Sequence, residues 1–219
     1  MKLAFDLPTS MHQHVAGQTL DHYPSDTVEA ETYTKDIKYR FNAQGFRCEH
    51  DLTTLGRDTN IYLGCSNTLG IGVNLHETWC QHVNDSVGGT MCNLGQAGGA
   101  HETAYRLARH WIAVIKPRRV FMLSPPSVRR EFWIDHDTPT IIGPRSTMPG
   151  HMMSDREIQI NCERVVDAIQ YHCVTHGAEF KYVYFHSIYK DWNKKMPDLG
   201  RDGTHPGPKT HKMIAEHFK

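Results

Sequence analysis

Up to about residue 57 the chain sustains no hydrophobic period; from residue 58 onward, short apolar runs alternate with longer stretches at helical spacing. The runs NIYLGC (60–65), TMCNL (90–94), RVFML (119–123) and FKYVYFHS (180–187) predict four strands, and TIIG (140–143) a further short one. Between them, the spacing predicts a helix over about 77–87 and a strongly amphipathic one over 101–116. In the latter, Ala104, Leu107, Ala108, Trp111, Ile112 and Ile115 share a face and Pro117 stops the pattern. A long helix over 155–176 places Ile158, Val165, Val166, Ile169 and Cys173 towards the core, with Gly177 as its C-cap, and a closing helix runs over about 208–218.

Strands joined by helices of this length need right-handed crossovers, which predicts a parallel sheet of about five strands covered on both faces, a three-layer α/β/α sandwich. Residues 1–57 read as an N-terminal arm packed on the main domain of 58–219. Within the arm, IKYRFNAQGFR is an extended piece turning at Asn42–Gly45. The proline- and glycine-rich segment 124–153 is longer than an ordinary connection, and loops of that length are usually functional.

Composition narrows the chemistry. Lys+Arg and Asp+Glu both total 24 in 219 residues, so there is no electrostatic reason to expect nucleic acid or an anionic membrane as partner. No apolar run approaches the roughly 20 residues that span a bilayer, and the N-terminus does not read as a signal peptide; a cytoplasmic protein is expected. The six cysteines are widely spaced without a C-x-x-C pair, and read as small buried thiols in a reducing compartment. The sixteen histidines form no dependable metal-site spacing with Asp, Glu or Cys, so no metal or other cofactor is expected.

In a parallel α/β sheet, ligands collect at the carboxyl ends of the strands. Ser66 follows the first strand there, NLGQAGG (93–99) follows the second, and LSPPSVRR (123–130) follows the third. Near the C-terminus, DGTHPG puts Asp202 three residues before His205 across a glycine turn. That spacing sets a carboxylate beside the imidazole Nδ1 and leaves Nε2 free as a base, which a weak serine nucleophile requires. The backbone N–H groups of Ser66 and Gly98 are natural oxyanion donors. Ser66 as a plain helix N-cap, Asp202 and His205 as a surface turn, and the glycines as an ordinary bend are the competing readings. Cys65 adjoins Ser66, but strand alternation points it to the other side, as a buried thiol.

The blocks LGCSNTLGIG, NLGQAGG and DGTHPG, in this order and on these elements, resemble the pattern of SGNH/GDSL hydrolases over about residues 58–218. The resemblance implies a flavodoxin-like fold and a serine esterase with a Ser66–His205–Asp202 triad. It implies an oxyanion hole of the Ser66 and Gly98 N–H groups, with Ser127 as a third donor, no cofactor, and a small-molecule or carbohydrate ester substrate, an acetyl ester foremost. Two positions depart from the pattern: Cys65 replaces the usual aspartate before the nucleophile, and SPPSV replaces the third block, with Ser127 where its asparagine would stand. Asn67, Arg129, Arg130 and Trp133 lie where substrate contact is expected. A weakened hole leaves open a second class, a glycan- or protein-binding module on the same fold.

Overall fold

The structure, a computed structural model, describes residues 19–20, 37–133, 139–143, 154–188 and 196–219. Two short strands, β1 (Thr19–Leu20) and β2 (Tyr39–Arg40), pair antiparallel ahead of the main sheet. Then follow β3 (Thr59–Leu63), α1 (Ser66–Leu69), α2 (Trp79–Val87), β4 (Thr90–Asn93), α3 (His101–Ile115) and β5 (Arg119–Leu123). A hairpin of β6 (Arg130–Trp133) and β7 (Pro139–Ile142) leads to α4 (Asp155–Thr175), β8 (Glu179–Val183), α5 (Phe185–Ile188) and α6 (Pro208–Glu216).

The main sheet is parallel, with order β4-β3-β5-β8. It has four strands among the described residues, where about five were expected. The α/β architecture and the order of its elements are those the hydrophobic pattern predicts. Alternation along the strands divides the core. Ile61, Leu63, Cys92, Val120 and Met122 face Leu107, Trp111 and Ile112 of α3 and Ile169 and Cys173 of α4. Tyr62, Phe121 and Leu123 face Trp79 and Val83 of α2 and Ile214 of α6, with Phe218 beyond. On that second side the Trp79 and Phe218 rings stack at 4.6 Å and the Tyr62 and Phe121 rings at 5.2 Å.

Two elements differ from expectation. The run 180–187 leaves the sheet at Val183, and Phe185–Ile188 form a helical turn. The Phe185 N–H donates to Ser124 Oγ at 2.8 Å, so the chain turns where the serine of the neighbouring strand end captures its amide. The segment 124–153 contains a hairpin, of which only β7 was legible. Its first strand, β6, carries Glu131, whose carboxylate accepts from Arg106 Nε at 2.9 Å and from Arg106 Nη2 at 3.1 Å. Both partners are buried, so a charged pair fastens the hairpin to α3. Residues 134–138 and 144–153 of the expected loop lie outside the described residues.

The segment before β3 enters the core. Ile37, Tyr39, Phe41, Phe46, Cys48 and Leu52 are buried in the same cluster as α3 and the sheet. All six cysteines are free, buried thiols. No helix is long and apolar enough to cross a membrane, and no group of three or more His, Cys, Asp or Glu is placed to hold a metal, among the described residues.

Candidate active site

β3 stops at Leu63 because the chain must turn from strand to helix within two residues, and Gly64-Cys65 make that turn. Ser66 is the first residue of α1 and is buried. The Cys65 carbonyl accepts from the N–H groups of Thr68 (2.9 Å) and Leu69 (3.0 Å), closing the short helix behind the serine. Among the described residues the Ser66 N–H has no hydrogen-bond acceptor, so it is available at the start of the helix.

Cys65 departs from expectation. It lies beyond the end of β3, so strand alternation does not apply, and its Sγ is 4.0 Å from Ser66 Oγ. It is nonetheless buried as expected.

The loop after β4 is sewn to this turn. Asn93 Nδ2 donates to the Thr68 carbonyl at 2.8 Å, and Asn93 Oδ1 accepts from the Gly95 N–H at 2.9 Å. The Gln96 N–H donates to the Gly64 carbonyl at 3.1 Å. Gly95 is required by closeness: a Cβ there would sit 2.3 Å from the Leu69 nitrogen, in backbone that cannot yield. Gly98, farther along the loop, faces open space, and its N–H has no acceptor among the described residues.

The acid–base pair comes from the loop before α6. His205 Nδ1 and Asp202 Oδ2 are in direct hydrogen-bond contact. Asp202 Oδ1 accepts from the N–H groups of His205 (3.1 Å) and Thr204 (3.2 Å), so the carboxylate is oriented by the turn it belongs to. Burial pushes the Asp202 carboxyl up, but the His205 side chain, its charge and the two N–H groups outweigh this and hold it below its ordinary value. The Asp202 side chain is 3% exposed and that of His205 24%, so the carboxylate is shielded and the imidazole reaches solvent.

This loop is seated on the one that leaves α1. The Arg201 N–H donates to the Gly72 carbonyl at 2.7 Å. Arg201 Nη1 and Nη2 grip the Glu77 carboxylate at 2.6 and 2.9 Å, and Glu77 Oε2 also accepts from the Asn74 N–H at 2.7 Å. The Arg201 side chain holds the Glu77 carboxyl down at about 2. Asp198 fixes the other end by accepting from the N–H groups of Lys209 and Thr210 at the start of α6.

The structure thus brings Asp202 to His205, and seats their loop on Gly72, which follows Ser66 by six positions in sequence. It does not join His205 to Ser66 by a hydrogen bond; the contact of Ser66 Oγ is with Cys65. Catalytic hydrogen bonds are often long before substrate binds. Asn67 follows Ser66 on α1 and is partly buried. Ser127 lines a cavity of about 590 Å³ beside α4, together with Cys162, Glu163, Tyr182 and Tyr184, and neither Ser66 nor His205 lines it. The Ser127 carbonyl faces the Cys162 thiol at 3.9 Å. Arg130 pairs with Glu102 at 2.5 Å, Arg129 is partly buried beside it, and Trp133 ends β6 with its side chain outside the described residues.

Sequence reasoning missed the residues that hold the backbone on which the pair is seated: Tyr39 and Arg47 from the arm, and the Glu77–Arg201 clamp. The spacing Asn74-x-x-Glu77 was a legible signal, since a glutamate three residues after an N-cap reaches back to its N–H. Arg47, between Phe46 and Cys48 in a segment without a period, carried none.

No protein-family model matches the chain, and no curated protein matches it. Solved structures that it is similar to include a member of the lipolytic G-D-S-L family from Veillonella parvula, at 12% identity over 73% of this chain and 94% of that one, with a TM-score of 0.39. A psychrotrophic esterase from Pseudoalteromonas sp. is 12% identical over 74% of this chain and 94% of that one, with a TM-score of 0.40. An acetyl xylan esterase from Butyrivibrio proteoclasticus is 14% identical over 75% of this chain and 62% of that one, with a TM-score of 0.48. These three solved structures are a lipolytic G-D-S-L protein and two esterases, each at 12–14% identity to this chain.

Proposed function

We propose that the protein is a serine esterase that hydrolyses short acyl esters, acetyl groups on carbohydrates foremost. The observation that carries this reading is the Asp202–His205 pair seated, through Gly72, on the loop that continues from the helix begun by Ser66. Ser66 Oγ attacks the acyl carbon while His205 Nε2 takes its proton, and Asp202 holds Nδ1–H and stabilises the imidazolium. The developing oxyanion accepts from the Ser66 and Gly98 N–H groups, whereas Ser127, where a third donor was expected, lines the separate cavity beside α4. His205 returns the proton to the departing alcohol oxygen. Water then attacks the acyl-enzyme, giving its proton to His205, and the carboxylic acid leaves as Ser66 regains its hydrogen.

A single comparison tests the substrate class: kcat/KM on p-nitrophenyl acetate, butyrate and octanoate, with Ser66→Ala as background. The expected result is turnover that falls with chain length and disappears in the variant. Equal or rising kcat/KM towards octanoate rejects the short-acyl assignment. The absent Ser66–His205 hydrogen bond favours a second reading, a glycan- or protein-binding module, which predicts no turnover of any of the three esters.

A further inference from the structure

The segment 69–73, which links the helix of Ser66 to the seat of the Asp202–His205 loop, is held from behind by two side chains of the N-terminal arm. Arg47 is 1% exposed, and both terminal nitrogens of its guanidinium donate to backbone carbonyls, while its buried Nε has no hydrogen-bond partner among the described residues. Nη1 donates to Leu69 O at 3.1 Å and Gly70 O at 2.6 Å, and Nη2 to Val73 O at 2.9 Å and Lys38 O at 3.4 Å. The Tyr39 ring lies 4.3 Å under the guanidinium carbon, and the Tyr39 hydroxyl accepts from the Gly72 N–H at 2.9 Å. On the opposite side of that peptide chain, the Gly72 carbonyl accepts from the Arg201 N–H. Gly72 has φ +82°, and a Cβ on it would stand 2.5 Å from Asp202 Oδ1. Asp202 is thus packed against a glycine whose two polar groups are fixed from two directions.

We propose that Tyr39 and Arg47 are positioning residues that set His205 against Ser66 by fixing the backbone of 69–73 between them. This rests on the proposed esterase reading. A buried cation facing carbonyls is a rigid, directional device: the planar fork reaches several oxygens at fixed angles, where a flexible ammonium reaches them as a point charge. Burial lowers the Arg47 pKa to about 10, which leaves it charged at neutral pH. Should the 69–73 backbone relax, Gly72 moves, and the Asp202–His205 loop seated on it shifts relative to the N-terminal end of α1, where Ser66 sits. A displacement of about 1 Å in reacting groups costs on the order of 100-fold in rate.

The test uses Tyr39→Phe, which keeps the ring and removes the hydroxyl that accepts from Gly72 N–H, together with Arg47→Lys and Arg47→Met. Steady-state kinetics on p-nitrophenyl acetate and the rate of Ser66 labelling by a fluorophosphonate are measured beside far-UV circular dichroism. In Tyr39→Phe, kcat and the labelling rate are expected to fall about 10- to 100-fold with KM within about twofold. Arg47→Lys is expected to retain more of both than Arg47→Met. A folded Tyr39→Phe with wild-type kcat and labelling rate overturns the positioning role and leaves the esterase reading intact. Wild-type protein that neither turns over the ester nor is labelled overturns both. If Tyr39→Phe does not fold, Arg47→Lys with wild-type kcat and labelling overturns the role instead.

Discussion

His205→Ala is expected to lower kcat on p-nitrophenyl acetate by about three orders of magnitude or more, with KM little changed. A serine hydroxyl at neutral pH is almost wholly protonated, and without an adjacent base its attack has no acceptor for the proton. Asp202→Asn tests a finer point. The carboxylate accepts from Nδ1–H and from two backbone N–H groups. An amide there keeps much of the shape but favours the wrong tautomer of His205, so a loss of similar order, about 10³- to 10⁴-fold, is expected. Because the three residues act as one unit, Ser66→Ala combined with His205→Ala should be no worse than either alone. Multiplying losses, or a KM rise that accounts for the whole effect, would show independent roles in binding.

Acid should unfold this protein earlier than its carboxylates alone require, through two buried neutral histidines. His211 is fully buried and its Nδ1 accepts from the Trp79 N–H at 3.1 Å, joining α6 to α2. Burial lowers its pKa to about 3, with smaller contributions from His82 and Arg47, and burial alone lowers that of His101 to about 4. Both values lie below the ordinary 6.5 of an unfolded chain, so between those limits the unfolded state binds more protons and folding stability falls as pH falls. The stabilisation is complete above pH 6.5 and lost progressively below it. From pH 7 to pH 5 each histidine removes about 2 kcal/mol, and the pair about 4 kcal/mol. His82 and His172 are lowered in the same direction but are partly exposed and add less. Glu77, held at about 2, contributes stability that is lost at lower pH than this window, where its unfolded form protonates. Urea unfolding at the two pH values measures the loss. His211→Asn, which keeps an acceptor for Trp79 N–H, should lose about half as much; equal stabilities at pH 7 and pH 5 would contradict the assignment.

How far the sequence was legible depended on the range of the interaction. The helix of 101–116 and the strands 119–123 and 90–94 were readable because their apolar residues face a core at a regular period, and burial on both faces of the sheet enforces it. The pair Asp202 and His205 was readable because its spacing is local: one glycine turn brings them into contact. Ser66 was readable as a position, at the turn from a strand into a helix, though Cys65 beside it was placed on the wrong geometric argument. β6 was missed because REFW has no alternation of its own; its place is fixed by the buried Arg106–Glu131 pair, a contact across 25 residues. Tyr39 and Arg47 were missed for the same reason. Their partners on the 69–73 segment are backbone atoms more than 20 residues away, and backbone atoms leave no trace in residue identity.

The measurement that bears most directly on the central claim is mass spectrometry of the intact and digested protein after exposure to a fluorophosphonate. The serine esterase account predicts a single adduct on the peptide containing Ser66, formed at a rate that His205→Ala sharply reduces. An unmodified Ser66 in folded wild-type protein, or an adduct whose rate of formation is indifferent to His205, would contradict it.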